Sequence, residues 1–222
     1  MLIRVIRGRL ARVTVLAHGV FLSLDGLDGA GKSTQVRLLA DWLREQGRAV
    51  VPCADPGGTS VGDRIRELLL HGEMTLTCEA LLFMASRAQL VAEVIRPALD
   101  DGKIVLSDRF LLANVVYQGH ASGLDPEPLW SAGRFATNGL EPDLTLVLDL
   151  PLELARTRQK TSADRLEKRD DAYHCRVREG FLAEAARRPE RIRVVDASGS
   201  VQAVREAIRR EVARVLAAHP GA

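Results

Sequence analysis

Five short, dense apolar runs alternate along the chain with longer segments in which apolar residues recur every three to four positions. Val20–Asp25, Arg48–Cys53, Lys103–Ser107, Leu144–Leu150 and Arg191–Asp196 read as strands. Leu144–Leu150 is apolar almost throughout, as a parallel strand covered on both faces by helices must be. Val36, Leu39, Ala40 and Leu43 stand at i, i+3, i+4 and i+7, the stripe of an amphipathic helix that Gly47 ends. Ile65, Leu68 and Leu69 mark a short helix. A long one runs from about Thr77 to Leu99 and stops at Asp100-Asp101-Gly102. Asp125-Pro126 supplies an N-cap and first-turn proline for another, ended by Gly139, and Val201–Leu216 is a closing amphipathic helix. Helical patterns also flank a charged segment, Arg156 to Glu167. Strands separated by helices predict an α/β fold: a doubly wound five-stranded parallel sheet with right-handed crossovers, flanked by helices and binding ligands beyond the strand carboxyl ends.

Between the first strand and the first helix lies Asp25-Gly26-Leu27-Asp28-Gly29-Ala30-Gly31-Lys32-Ser33-Thr34, a G-x-x-x-x-G-K-S phosphate loop. Gly26, Gly29 and Gly31 let the backbone turn tightly, so that successive N–H groups face inward around anionic oxygens. Lys32 reaches the β- and γ-phosphates, Ser33 offers a hydroxyl to Mg²⁺, and the helix start adds its positive dipole end. This context makes residues 26–34 the expected triphosphate site, in the P-loop NTPase fold.

A chain of 222 residues suits one α/β domain, expected over residues 20–222. Residues 1–19 differ in character. Arg4, Arg7, Arg9 and Arg12 occur there with no acidic residue before Asp25, and without the Ser enrichment of a targeting peptide. They read as a basic, poorly ordered extension. The net charge is +2 and aromatics are scarce, so nothing marks a nucleic-acid partner. Cys53, Cys78 and Cys175 form no C-x-x-C pair and are odd in number, which suggests reduced thiols in the cytosol. No run approaches the length of a membrane span, and the five histidines show no metal spacing.

A GTPase switch requires a guanine-reading Asn-Lys-x-Asp segment, and neither Asn114 nor Asn138 stands in one. A dispersed basic set is present instead: Arg66, Arg87, Arg109, Arg156, Arg158 and Lys160. Phosphoryl transfer needs several cations, because charge spreads over the oxygens of the transferred group.

Several motifs in order carry a resemblance to the thymidylate kinase family. They are Leu24 to Thr34, Asp55-Pro56-Gly57-Gly58-Thr59, Ile65-Arg66-Glu67-Leu68-Leu69, and Leu82-Phe83-Met84-Ala85-Ser86-Arg87-Ala88-Gln89. Asp108-Arg109-Phe110 with Tyr117-Gln118-Gly119, and Asp164-Arg165-Leu166-Glu167, complete the set. The resemblance implies transfer of the ATP γ-phosphoryl to dTMP with Mg²⁺, in a cytosolic homodimer. It implies Phe83 stacked on thymine, Arg87 on a ring carbonyl, Asn114 and Gln118 as further base contacts, and Tyr117 near the sugar 2′ position. Asp28 then approaches the 3′-hydroxyl, Asp55 joins the monophosphate site, Arg66 and Arg109 bind the monophosphate, and Asp108 lies near Mg²⁺. Arg156, Arg158 and Lys160 resemble a lid over ATP, about residues 156–167.

Where some relatives carry a phosphate-loop arginine, this chain has Gly29, which turns the search for a catalytic cation to the lid and to Arg158 first. The expected catalytic set is therefore Lys32, Asp108, Arg109 and Arg158, with Arg156 on ATP and Ser33 and Asp108 on the metal. Asp25 and Asp55 replace a more usual Glu, Ala54 a common Arg, Ala113 a common Ser and Ser86 a frequent Asp. These departures leave open a kinase for dUMP, UMP or CMP, or a non-catalytic nucleotide-binding regulator.

Overall fold

The computed structural model describes residues 19–158 and 169–218. The extension expected over 1–18, and the lid positions from 159 to 167, lie outside the described residues; Lys160 and Asp164-Arg165-Leu166-Glu167 are among them. Gly19, assigned by sequence to the extension, belongs to the body. It is buried and donates to the Leu99 carbonyl at 2.9 Å.

One parallel sheet contains β1 (Val20–Gly26), β2 (Val50–Ala54), β3 (Ile104–Asp108), β4 (Leu144–Asp149) and β5 (Ile192–Asp196), in the order β2-β3-β1-β4-β5. Sheet position explains each strand's residues. Central β1 is buried along its whole length and β3 and β4 nearly so, hence their mostly apolar sequences, with Ser23, Ser107 and Thr145 as small polar exceptions. β2 is an edge, which is why it tolerates Pro52, a residue with no N–H for a ladder. Strand order reverses at β1, with β3 and β2 on one side and β4 and β5 on the other. The carboxyl ends at such a switch open a crevice. Register aligns them there: Leu24 lies opposite Asp108, and Asp108 opposite Ala54.

The helices are α1 (Lys32–Glu45), α2 (Ser60–His71), α3 (Leu76–Leu90), α4 (Arg96–Asp100), α5 (Leu111–Asn114), α6 (Pro126–Ala136), α7 (Leu152–Arg158), α8 (Asp171–Arg187) and α9 (Val201–Ala218). α1 buries Val36, Leu39, Ala40 and Leu43 as its stripe requires, and ends on Gly47 at φ 77°. α2 begins earlier than its apolar triplet, because the Thr59 hydroxyl caps it by accepting from the Gly62 N–H at 2.9 Å.

The long helix expected from Thr77 to Leu99 is a composite, in which α3 passes through a π-helical turn, Val91–Ile95, into α4. Pro97 accounts for the widening. It lacks an N–H, and in a regular α-helix its ring would clash with the carbonyl four residues back, at Glu93, which lies inside that turn. α5 and the π-helical turn that follows it, Val115–Ala121, carry no signal in the sequence. They are buried on nearly every side, so no polar face alternates with an apolar one. This segment packs against α3, α6 and α8 and presents Asn114, Tyr117 and Gln118 to the crevice.

Candidate active site

The phosphate loop leaves β1 through backbone that only glycine adopts freely, with Gly29 at φ 85° and Gly31 at φ 89°. A Cβ on Gly29 would stand 2.2 Å from the Ala155 carbonyl oxygen, so α7 packs where a side chain would go. No arginine fits at this position. Lys32 is buried, and its ammonium donates to the Gly26 and Leu27 carbonyls at 3.1 and 2.8 Å, with Asp28 at 3.6 Å. Burial and the neighbouring Arg109 push its pKa down to about 8, against the pull of Asp28, Asp108 and Asp25. Of the loop residues expected on ATP, Asp28 through Thr34 line the cleft. Gly26 and Leu27 stand behind it and hold Lys32.

Asp28 is the hub of the charged centre. It accepts from Arg109, and its other oxygen accepts from the Tyr117 hydroxyl at 3.1 Å; Arg109 also donates to that hydroxyl at 3.2 Å and to the Gly26 carbonyl at 3.2 Å. Burial alone would raise the Asp28 carboxyl, but Arg109 and Lys32 hold it well below the usual carboxylate range. Arg109 takes φ 69°, a strained conformation for a residue with a side chain, stabilised by the Arg109 N–H to Leu24 and Ser107 Oγ to the Arg109 carbonyl. The Ser33 hydroxyl donates to Asp108 Oδ2 at 2.5 Å.

A second wing of the cleft lies beyond this centre, walled by Phe83, Arg87, Ala113, Asn114, Tyr117 and Gln118. Phe83 is half-buried and faces the cavity, whereas Arg87 is wholly enclosed. Its guanidinium donates to Asp55 at 2.6 Å, Asn114 Oδ1 at 3.2 Å, the Met84 sulfur at 3.3 Å and the Phe110 carbonyl at 3.4 Å. Burial pushes the Asp55 carboxyl up and Arg87 opposes it. Arg66 lines the cleft near the Asp55-Pro56-Gly57-Gly58 turn and donates to the Pro56 carbonyl at 2.8 Å.

The two described cations of the expected lid, Arg156 and Arg158, have their partners away from the phosphate loop. Arg158 lines the opposite wing, where it donates to the carbonyls of Ala197, Ser198 and Gly199 at 2.8, 3.1 and 3.4 Å. It is engaged by the turn between β5 and α9 rather than by the phosphate loop. Arg156 is outside the cleft lining and pairs with Asp171 at the start of α8. Sequence reasoning also missed Glu79, buried and bonded to Gln118 at 2.9 Å, and Gln35, Ser200 and Val204 beside Arg158. Glu79 has a legible signal, since it stands four before Phe83 and eight before Arg87 on one helix face. The residues beside Arg158 have none.

Ser33 and Asp108 offer hard oxygen donors under the phosphate loop, a set that suits Mg²⁺ completed by phosphate and water. No cluster of three or more His, Cys, Asp or Glu side chains able to cage a metal occurs among the described residues. The cleft encloses about 1110 Å³, above the roughly 1,000 Å³ that bounds most single-ligand pockets.

A phosphate loop at the end of the central strand, cations and a strand-end carboxylate around it, and a second wing of the same cleft beside it together define a P-loop nucleotide kinase. Comparison with known proteins narrows this class. The sequence profile described as thymidylate kinase matches residues 24–208. Thymidylate kinase of Rhodopirellula baltica is 47% identical over 198 residues, 87% of this chain and 81% of that protein. The Symbiobacterium thermophilum protein of the same name is 48% identical over 201 residues, 89% and 94% of the two chains. The crystal structure of thymidylate kinase from Ehrlichia chaffeensis superposes with a TM-score of 0.75 at 28% identity, covering 88% of this chain and 99% of that one. The chain belongs to the thymidylate kinase family.

Proposed function

We propose that the protein transfers the γ-phosphoryl group of ATP to dTMP, giving dTDP and ADP. One observation carries this reading: the Asp28–Arg109–Tyr117 triad, with Lys32, joins the phosphate loop directly to the enclosed wing. A triphosphate on the loop and a monophosphate held by Arg66 and Arg109 then meet at one charged centre. An oxygen of the acceptor phosphate forms the new bond to the γ-phosphorus as the bond to the β–γ bridging oxygen breaks, and ADP leaves. No covalent enzyme intermediate is needed.

Lys32 and Arg109 stabilise charge on the transferring oxygens, and enclosure strengthens both. Ser33 and Asp108 would hold Mg²⁺, which supplies further neutralisation of phosphate charge when bound. Asp28 holds Arg109 in place and faces the acceptor sugar. Phe83 offers its ring to the acceptor base, and Asn114, Tyr117 and Gln118 close that pocket. Arg158, Gln35 and the 199–204 segment wall the other end, where the ATP base fits.

Homodimerisation is part of the proposal. α2 packs on α3 and α3 on α6, and each bears an exposed large apolar residue: Leu68 (55%), Leu81 (57%) and Phe135 (90%). The three cysteines are free thiols, in keeping with work in the cytosol. No helix among the described residues is long and apolar enough to cross a membrane. The direct test is ADP release with a panel of dTMP, dUMP, UMP and dCMP as acceptors. Highest kcat/KM for dTMP is expected, and preference for another monophosphate overturns the substrate assignment.

A further inference from the structure

Five buried side chains form one hydrogen-bonded chain beneath the enclosed wing, and its far end is a residue that no step above requires. Asp55, Arg87, Asn114, Gln118 and Glu79 are each at most 3% exposed. Every donation runs outward from Arg87. Its Nε goes to Asp55 Oδ2 at 2.6 Å and its Nη1 to Asn114 Oδ1 at 3.2 Å. Asn114 Nδ2 then donates to Gln118 Oε1 at 2.8 Å, and Gln118 Nε2 to Glu79 Oε1 at 2.9 Å.

A guanidinium only donates and a carboxylate only accepts, so the two ends fix the direction of both amides between them. Reversing Gln118 would set its NH₂ against the Asn114 NH₂ and its carbonyl against the Glu79 carboxylate. The polarity matters at Arg87. Of its five N–H donors, four go to Asp55, Met84, Asn114 and Phe110, leaving one on Nη2 for a ligand. A keto oxygen can accept that N–H, and an exocyclic amino group cannot.

An acidic residue in the first turn of a helix ordinarily complements the helix dipole from the surface. Glu79 holds that position in α3, but it is buried and its carboxylate receives Gln118. We infer that Glu79 is a positioning residue for pyrimidine recognition: by anchoring Gln118 it holds the Asn114 carbonyl on Arg87, and so keeps the last Arg87 N–H presented to a keto base. The inference rests on assignment of this wing to the acceptor base. Glu79 touches no substrate and acts through two intervening amides.

The test is steady-state kinetics of the full chain carrying Glu79→Leu, Glu79→Asp, Gln118→Leu or Glu79→Leu with Gln118→Leu, using dTMP and dCMP as acceptors. Glu79→Leu is expected to raise KM for dTMP roughly tenfold or more, the scale of one buried polar group left unpaired. KM for ATP and kcat at saturating dTMP should stay within about threefold, the pattern of lost ground-state binding. Preference for dTMP over dCMP in kcat/KM should fall. Glu79→Asp, one methylene short of Gln118, keeps the acidic character and should shift KM in the same direction. The double variant should lose no more dTMP affinity than Gln118→Leu alone, because the effect of Glu79 on the base site passes through Gln118.

An unchanged KM for dTMP in Glu79→Asp overturns the inference, as do independent, additive losses in the double variant. A parallel rise in KM for ATP overturns it too, since that pattern belongs to general loosening of the fold. A wild-type protein that transfers nothing to dTMP would instead sink the substrate assignment, an outcome visible before any variant is made.

Discussion

Ser33 and Asp108 are 75 residues apart in the chain, yet the hydroxyl of one donates to the carboxylate of the other at 2.5 Å. The pairing arises because β1 and β3 are neighbours whose carboxyl ends are in register, Leu24 opposite Asp108. Asp108→Asn keeps the shape and removes the charge. It is expected to lower kcat on the order of 10²-fold or more, the scale for one preorganised electrostatic group. The Mg²⁺ concentration for half-maximal rate should rise while the melting temperature stays put. Unaltered Mg²⁺ dependence would remove Asp108 from the metal site.

Lys32→Ala should also cost on the order of 10²-fold or more in kcat. The lysine has a pH signature as well, since burial pushes its pKa from 10.5 down to about 8. The free protein loses this charge as pH rises through about 8, so ATP binding measured by calorimetry should weaken above that pH. Stability moves the other way. Between about 8 and 10.5 the unfolded chain holds the proton more tightly, so this group makes the nucleotide-free protein more stable as pH rises across that window. ATP affinity that is flat from pH 7 to 9 contradicts the assignment.

Arg87→Ala should raise KM for dTMP roughly tenfold or more and leave KM for ATP near its starting value. It also strips Asp55 of its ion-pair partner at 2.6 Å in a fully buried setting. Breaking such a pair costs about 3–5 kcal/mol, so a large drop in unfolding free energy by denaturant titration should accompany the kinetic defect. Arg87→Ala with Asp55→Asn should recover part of the stability and none of the dTMP affinity. Recovery of both would make Arg87 a structural residue only.

Arg158 separates two roles cleanly. It is held by three carbonyls of the 197–199 turn, and the proposed function puts the ATP base beside it. Arg158→Ala should therefore raise KM for ATP roughly tenfold, while the single-turnover chemical step changes by no more than about threefold. A loss near 10³-fold in that step would instead be the signature of an arginine finger, and would mean that the guanidinium leaves the turn during the reaction.

Asp25 lies at the end of β1 with both carboxylate oxygens buried and without a hydrogen-bond partner among the described residues. Burial raises its pKa from 3.8 to about 7, with Arg109 and Lys32 opposing and Asp108 reinforcing the rise. The native protein thus keeps a proton that the unfolded chain releases, and this group lowers stability as pH rises from about 4 to about 7. Asp25→Asn should melt higher than the parent at pH 8 and not at pH 4. An equal difference at both pH values rules out titration of Asp25 as the cause.

The strands, the phosphate loop and much of the wall of the second wing were legible in the residues alone, because those signals are local. Fully covered parallel strands must be predominantly apolar runs, as β1 and β4 are, and a loop that wraps phosphate needs glycines with Lys32 and Ser33 at fixed spacing. Phe83 and Arg87 could be placed together because one helix carries both. The α5 segment was not legible, since an element buried on all sides loses the polar–apolar alternation that marks a helix. Long-range contacts settle the rest. Packing of α7 against Gly29 excludes a side chain there, the 197–199 carbonyls claim Arg158, and Asp171 claims Arg156. Glu79 likewise meets Gln118 only when α3 packs on the buried turn that carries it. Partners so far apart in the chain leave no periodic trace, and their identity is fixed by which surfaces the folded sheet brings face to face.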